Sequence, residues 1–166
     1  GLGGLGHMAV KFAAAMGAET YVLGHSLSKA QDAKDFGAKD YLMTTEIFET
    51  HKDFFDVILN TTSTDLDLDS LLGMLKVGGT FVTVGISPNK QEFHAFSVVT
   101  GLRSIAGANT GSIAATQDML DFCGEHNIVS TIEMVDASDP KTIDDAYARV
   151  VDSDIRYRFV IDASTI

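Results

Sequence analysis

The first six residues, GLGGLG, fit the spacing G-x-G-x-x-G, with Gly1, Gly3 and Gly6 at the three glycine positions. No other feature constrains the fold of this chain so tightly. The first glycine permits a sharp turn, the second lets the backbone approach a pyrophosphate, and the third lets a helix pack closely on a strand. A helix follows at once: Leu5, Met8, Ala9, Phe12 and Met16 recur at helical spacing, and Gly17 is a natural stop. A β-rich run, TYVLG at 20–24, arrives at about the distance expected of a βαβ unit. Two readings follow: a dinucleotide loop whose leading strand lies outside the sequence, or a glycine-rich turn without a ligand.

The rest of the chain favours the first. Residues 28–37 read as a polar helix, with Ser28 as its N-cap and Gly37 as its stop. Residues 40–44 are a candidate strand, and 55–61, FDVILNT, is an apolar run suited to a parallel strand covered on both faces. A helix is expected over 66–79, running to Gly78 and Gly79, with strands at 80–85 and 104–109. This alternation predicts an α/β fold: a Rossmann-type doubly wound parallel sheet lacking its first strand, over 1–111. After Gly111 come a helix at 114–127, a strand at 131–136, a helix opened by Asp139 and Pro140, and a strand at 156–162. The segment 112–166 is expected to attach to another domain and not to add a further βαβ turn. The acids of DLDLD, at 65–69, are expected to cap the helix that follows rather than to catalyse.

A net charge of −11 argues against nucleic acid and anionic lipid as partners, since both demand cationic contacts. Cys123 is the one cysteine, so no intrachain disulfide forms, and its apolar neighbours Met119, Leu120 and Phe122 suggest a packed thiol. No leader or run of about 20 apolar residues is evident, so a soluble, cytoplasmic protein is expected.

Cofactor choice is read at the end of the strand at 20–24. Proteins that take NAD usually place an acid there to hold the ribose hydroxyls. Here the corner carries Gly24, His25, Ser26 and Lys29 instead. An acid would repel a 2′-phosphate, whereas a small residue, hydroxyls and a lysine accept one. NADP is therefore the expected cofactor. Thr61 and Thr62 lie just beyond an apolar strand, at the end where open α/β sheets bind ligands. A polar strand-to-helix turn is the competing reading of that pair.

The stretches GLGGLGHMAVKFAAAMGAE, SLSK, LLGMLKVGGTFVTVG, DFCGEHNI and DIRYRFVIDAS closely resemble the zinc-dependent medium-chain alcohol dehydrogenases, in particular their cinnamyl alcohol dehydrogenase-like branch. The resemblance covers the chain from end to end. It implies the C-terminal half of such an enzyme, starting just after the first Rossmann strand and ending in the segment that completes the catalytic domain. It implies that Gly3, Gly4 and Leu5 present N–H groups to a pyrophosphate. It places Val84, Gly85 and Ile86 beside the nicotinamide ribose, and Ala108 and Asn109 near the carboxamide. It matches Arg156 to an arginine that reaches the pyrophosphate. It further implies a homodimer joined near residues 104–108, beside the apolar Phe93, Phe96, Val98, Val99 and Leu102.

The five histidines are dispersed and none has a metal-ligand spacing with Cys123 or another histidine, so no metal site is expected in the chain. Zinc is expected only in an N-terminal half, and no catalytic residue is assigned to these 166 residues. The implied activity is reversible hydride transfer between NADPH and an aldehyde, so the expected partner is a small-molecule aldehyde or alcohol substrate. Two alternatives are a stand-alone NADP-binding module without catalysis and a zinc-free quinone reductase of the same superfamily. Against the module stands the sheet itself: without its first strand its centre would lie open and the glycine loop would have no anchor.

Overall fold

The computed structural model describes residues 1–44 and 47–166. In chain order the elements are α1 (Gly6–Ala15), β1 (Tyr21–Gly24), a 3-10 turn (Leu27–Lys29), α2 (Ala30–Asp35), β2 (Asp40–Met43), β3 (Phe55–Asn60), α3 (Leu68–Gly73) and β4 (Leu75–Thr83). Then come α4 (Ala95–Val99), β5 (Ser104–Gly107), α5 (Ile113–His126), β6 (Ile132–Asp136), α6 (Pro140–Val151), β7 (Arg158–Asp162) and a last 3-10 turn (Ala163–Thr165).

Every strand pair is parallel, as a Rossmann-type α/β fold requires. β1 pairs with β2, with Tyr21 opposite Asp40. β3, β4 and β5 form a second sheet in that order, with Ile58 opposite Phe81 and Phe81 opposite Ile105. Among the described residues no strand joins β1 to β3, so the centre of the sheet is open. Positive φ at Gly17 (82°) and Gly37 (104°) closes α1 and α2 as their sequence positions suggest.

Two apolar clusters hold the elements. Ile58 and Phe81 of the sheet pack with Leu68, Leu71 and Leu72 of α3. Val10 of α1, Val22 of β1 and Ala33 of α2 pack with Leu2 and Tyr157, so the C-terminal segment is pinned to the first sheet by a buried tyrosine. Asp67 caps α3, accepting from the Ser70 N–H at 3.1 Å. Asp65 accepts from Ser87 Oγ at 2.5 Å, and Asp69 accepts from Ser97 Oγ at 2.5 Å, so the acidic run caps a helix and anchors loops.

The structure corrects five expectations. Ser28 lies inside the 3-10 turn and Lys29 precedes α2, so Ser28 is not the cap. α3 stops at Gly73, because the Phe54 and Phe55 N–H groups both donate to the Met74 carbonyl and draw the chain into β4. Leu72, Met74 and Leu75 are all fully buried, a spacing that one helix face cannot supply. β3 is not covered on both faces: Val57 is 59% and Leu59 42% exposed, because the open sheet centre adjoins them. The tail does form a βαβ unit, with β6 and β7 parallel across α6 and Ile132 opposite Arg158. In addition, β5 ends at Gly107, short of Asn109.

Leu72→Ala leaves a cavity where no part of the side chain touches solvent. Urea unfolding should report a loss of about 2–5 kcal/mol, and a loss under about 1 kcal/mol would mean that the cluster is not a packed core.

Candidate cofactor site at the glycine loop

Residues 1–6 lead straight into α1, and the close approaches there explain their glycines. A Cβ on Gly6 would collide with the Gly1 carbonyl oxygen, so only glycine lets α1 begin against the start of the loop. Around Gly3, by contrast, nothing lies within 4 Å of where a Cβ would stand. That opening is where a ligand can reach the backbone.

Side chains hold the loop by its carbonyls. Thr61 Oγ1 donates to the Gly1 carbonyl at 3.0 Å, and Lys29 Nζ donates to the Leu2 carbonyl at 3.2 Å. The Gly3 carbonyl accepts from the His7 backbone N–H at 3.0 Å and from its Nδ1 at 3.2 Å. The loop therefore has anchors without a central strand, contrary to expectation. With the carbonyls engaged, the N–H groups of Gly3, Gly4 and Leu5 have no hydrogen-bond acceptor among the described residues. They lie at the N-terminus of a ten-residue helix, where free N–H groups and the helix dipole favour an anion.

Two cations flank this array. Lys29 also approaches the Ile155 carbonyl at 3.4 Å and lies 5.1 Å from the Tyr157 ring centroid. Burial, and then the Arg156 charge, hold its pKa below the ordinary lysine value. The Arg158 guanidinium rests against Gly4. A cavity of about 450 Å³ opens here, lined by Gly3, Gly4, Lys29 and Arg158 on one side and by α6 residues such as Tyr147 and Val150 on the other.

Arg156 sits elsewhere. Its guanidinium pairs with Asp32 and donates to the Ser28 carbonyl at 3.0 Å, at the corner after β1. Burial opposes ionisation of Asp32, but hydrogen bonds from Tyr157 and Arg156 outweigh it and lower its pKa. Sequence reasoning missed Arg158, because only the folded tail shows which of the two arginines meets the loop. It also missed Tyr41, whose hydroxyl fills the space beside Gly24; the small residue there makes room for that ring. At the same corner His25 is exposed and Ser26 is half-buried, its Oγ 3.0 Å from Ser28 Oγ.

The remaining predicted contacts gather at the C-terminal ends of β3, β4 and β5. The Val84 and Gly85 N–H groups donate to the Asn60 carbonyl, both at 3.0 Å. Thr62 donates through its N–H and Oγ1 to Asn60 Oδ1, at 2.9 and 2.8 Å. Ala108 N–H donates to the Thr83 carbonyl at 3.1 Å, Asn109 Oδ1 accepts from the Thr110 N–H at 2.7 Å, and Ile86 is 83% exposed. Asn60 knits these ends together, a role its place in an apolar run did not announce.

Among the described residues no three His, Cys, Asp or Glu side chains are grouped so that they could hold a metal ion. Cys123 is half-buried, its Sγ 3.7 Å from Met119 Sδ. Among the described residues no helix is long and apolar enough to cross a membrane.

The fold is a parallel α/β arrangement opening on a glycine loop, and the comparisons with known proteins specify the family. Residues 4–125 match the zinc-binding dehydrogenases, so the chain belongs to that family. It is 49% identical over 168 residues to an NADP-dependent alcohol dehydrogenase C of Mycobacterium bovis, covering 100% of this chain and 48% of that protein. A cinnamyl alcohol dehydrogenase of Sorghum bicolor superposes with a TM-score of 0.92 at 38% identity, over 99% of this chain and 46% of that one. CAD from Helicobacter pylori, complexed with NADP(H), superposes with a TM-score of 0.86 at 36% identity, again over 99% of this chain and 46% of that one. The chain thus spans about half the length of the relatives it matches.

His7 is fully buried against this loop, and its ring stacks on Tyr157 at 4.9 Å. The Thr131 N–H donates to Nε2 at 3.2 Å, so the ring is neutral with its proton on Nδ1. Burial, aided by the Lys11 charge and opposed by the Gly3 carbonyl, lowers its pKa below the ordinary 6.5. The unfolded chain then takes up a proton that the folded chain refuses. Stability from this group is full above about pH 6.5 and falls as pH drops towards the folded pKa. Urea midpoints measured from pH 7.5 to 5 should fall further in the native chain than in His7→Gln, and equal declines would contradict the buried neutral ring.

Proposed function

We propose that the chain is the cofactor-binding half of an NADP-dependent, zinc-dependent alcohol dehydrogenase or aldehyde reductase that moves a hydride between NADPH and an aldehyde. The observation that carries this reading is the array of unengaged N–H groups at Gly3, Gly4 and Leu5, flanked by Lys29 and Arg158. A pyrophosphate bridging that array would gain several charge-assisted hydrogen bonds. The acid-free corner at Gly24, His25, Ser26 and Lys29 supports a 2′-phosphate, and Arg156 adds a second positive group beside Ser28. Bound NADPH supplies the hydride. The residues that would hold its nicotinamide end are Val84, Gly85 and Ile86 on the ribose side and Ala108 and Asn109 on the carboxamide side, with Thr61 and Thr62 along the groove. We assign the zinc ligands to residues outside this chain, since its described side chains offer no ligand group.

Calorimetric titration with each cofactor tests the reading. NADP should bind more tightly than NAD, and Lys29→Ala should weaken NADP more than NAD, by roughly ten- to a hundred-fold for NADP, as expected for a charge-assisted contact. Tighter binding of NAD, or an equal loss for both cofactors, would overturn the assignment of the corner.

We further propose a homodimer built on the outer edge of β5. Ser104–Gly107 is exposed along its length and pairs with β4 alone. Phe96 (75% exposed) and Leu102 (75% exposed) precede it in the chain, while Val98 packs inward on the core. An apolar parallel edge of this kind is normally covered, and a two-fold axis covers both copies at once. Light scattering of the intact protein at micromolar concentration should give twice the monomer mass, and Ile105→Lys should return it to one. A monomeric native protein would refute the proposal.

A further inference from the structure

The segments that follow β3 and β4 are tied together at three places. At the first, the Val84 and Gly85 N–H groups donate to the Asn60 carbonyl, both at 3.0 Å. At the second, a Cβ on Gly85 would collide with the Thr62 carbonyl oxygen, so the two backbones touch. At the third, Asp65 gathers three side chains of the later segment. Its Oδ1 accepts from Ser87 Oγ at 2.5 Å and from Gln91 Nε2 at 3.2 Å, and its Oδ2 accepts from Asn89 Nδ2 at 2.9 Å. Gln91 Oε1 accepts in turn from the Leu66 N–H at 3.2 Å. We propose, resting on the cofactor reading above, that Asp65 is a positioning residue for the nicotinamide end of the cofactor. It pins the segment after β4 so that Ile86 stands in place before the cofactor arrives.

The carboxylate is itself held by its neighbours in the chain. Leu66 packs on the apolar core and Asp67 caps α3, so the residue before them has little freedom. A carboxylate suits the task, because it accepts at both oxygens and all three partners are donors. Hydrogen bonds from Ser87 and then Asn89 hold its carboxyl below the ordinary carboxylate value, so it stays ionised at neutral pH.

Ile86 lies between two of the ties. Gly85 is held by its N–H and by Thr83 Oγ1, which donates to its carbonyl at 2.8 Å, and Ser87 is held by Asp65. The Ile86 side chain between them is 83% exposed. It follows the C-terminal end of a parallel strand, where open α/β sheets meet their ligands. A loose segment would have to be ordered on binding, at a cost in affinity, and the Asp65 clamp removes that cost in advance. The saving falls on the nicotinamide end alone, since no bond of Asp65 reaches Lys29 or the corner after β1.

The test uses the intact protein that carries this chain and two probes. One is NADPH. The other is 2′-phospho-ADP-ribose, which keeps the adenosine and pyrophosphate but has no nicotinamide. Asp65→Ala should weaken NADPH about tenfold, as expected when a segment must be ordered anew, and leave 2′-phospho-ADP-ribose within about twofold. Without either probe, amide exchange should quicken at 86–91 in this variant and stay native along α1. The fluorescence of bound NADPH should move towards that of the free cofactor. Ser87→Ala should cause a smaller loss of the same kind, and the double variant should lose no more than Asp65→Ala alone. Equal weakening of both probes would make Asp65 merely structural and overturn the proposal. Unchanged binding of NADPH, or unchanged exchange at 86–91, would also overturn it. A native protein that binds 2′-phospho-ADP-ribose as tightly as NADPH would overturn it while leaving the adenosine end of the cofactor reading intact. A native protein that binds neither probe would overturn the cofactor reading, and this proposal with it.

Discussion

The approach of Gly6 to the Gly1 carbonyl sets the geometry from which the site follows. With no Cβ between them, α1 can start directly on the loop, and the N–H groups of Gly3, Gly4 and Leu5 are left without an acceptor among the described residues. Once that turn is made, the carbonyls of residues 1–3 point towards Thr61, Lys29 and His7, which take them up. The loop thus separates its two kinds of polar group: its acceptors are taken up by the protein, and its donors are left unengaged among the described residues.

The same three side chains connect distant parts of the chain. Thr61 belongs to the end of β3, Lys29 to the corner after β1, and His7 links α1 to the Ser130–Thr131 turn through Nε2. Tyr157 lies beneath, stacked on His7 and donating to Asp32. A change at the cofactor corner therefore bears on the C-terminal segment through Asp32, Arg156 and Tyr157, without any continuous sheet between them. The charges involved are held in place by backbone carbonyls and aromatic faces, which explains how an acidic chain still presents local positive groups to an anion.

The elements most legible in the sequence were those fixed locally. Glycine spacing at 1–6, the positive-φ stops at Gly17 and Gly37, and the Asp139–Pro140 start of α6 each depend on neighbours a few residues away. What escaped was set by long-range packing. The end of α3 depends on β3 capturing the Met74 carbonyl, and the parallel pairing of β6 with β7 depends on the crossover of α6. The corner after β1 was legible as residue types but not as geometry: Tyr41 over Gly24 and Arg158 over Gly4 come from segments remote in sequence. The exposed apolar residues of β3 illustrate the same limit, since an apolar run predicts what a strand needs and not whether its neighbours are present.

Hydrogen exchange of the intact protein that carries this chain, with and without saturating NADP, tests whether the outward donors are the cofactor's seat. Exchange should slow at Gly3, Gly4, Leu5 and residues 24–29, with little change along Pro140–Val151 of α6. Unchanged exchange at the loop under saturating cofactor, or protection confined to segments remote from it, would contradict the assignment.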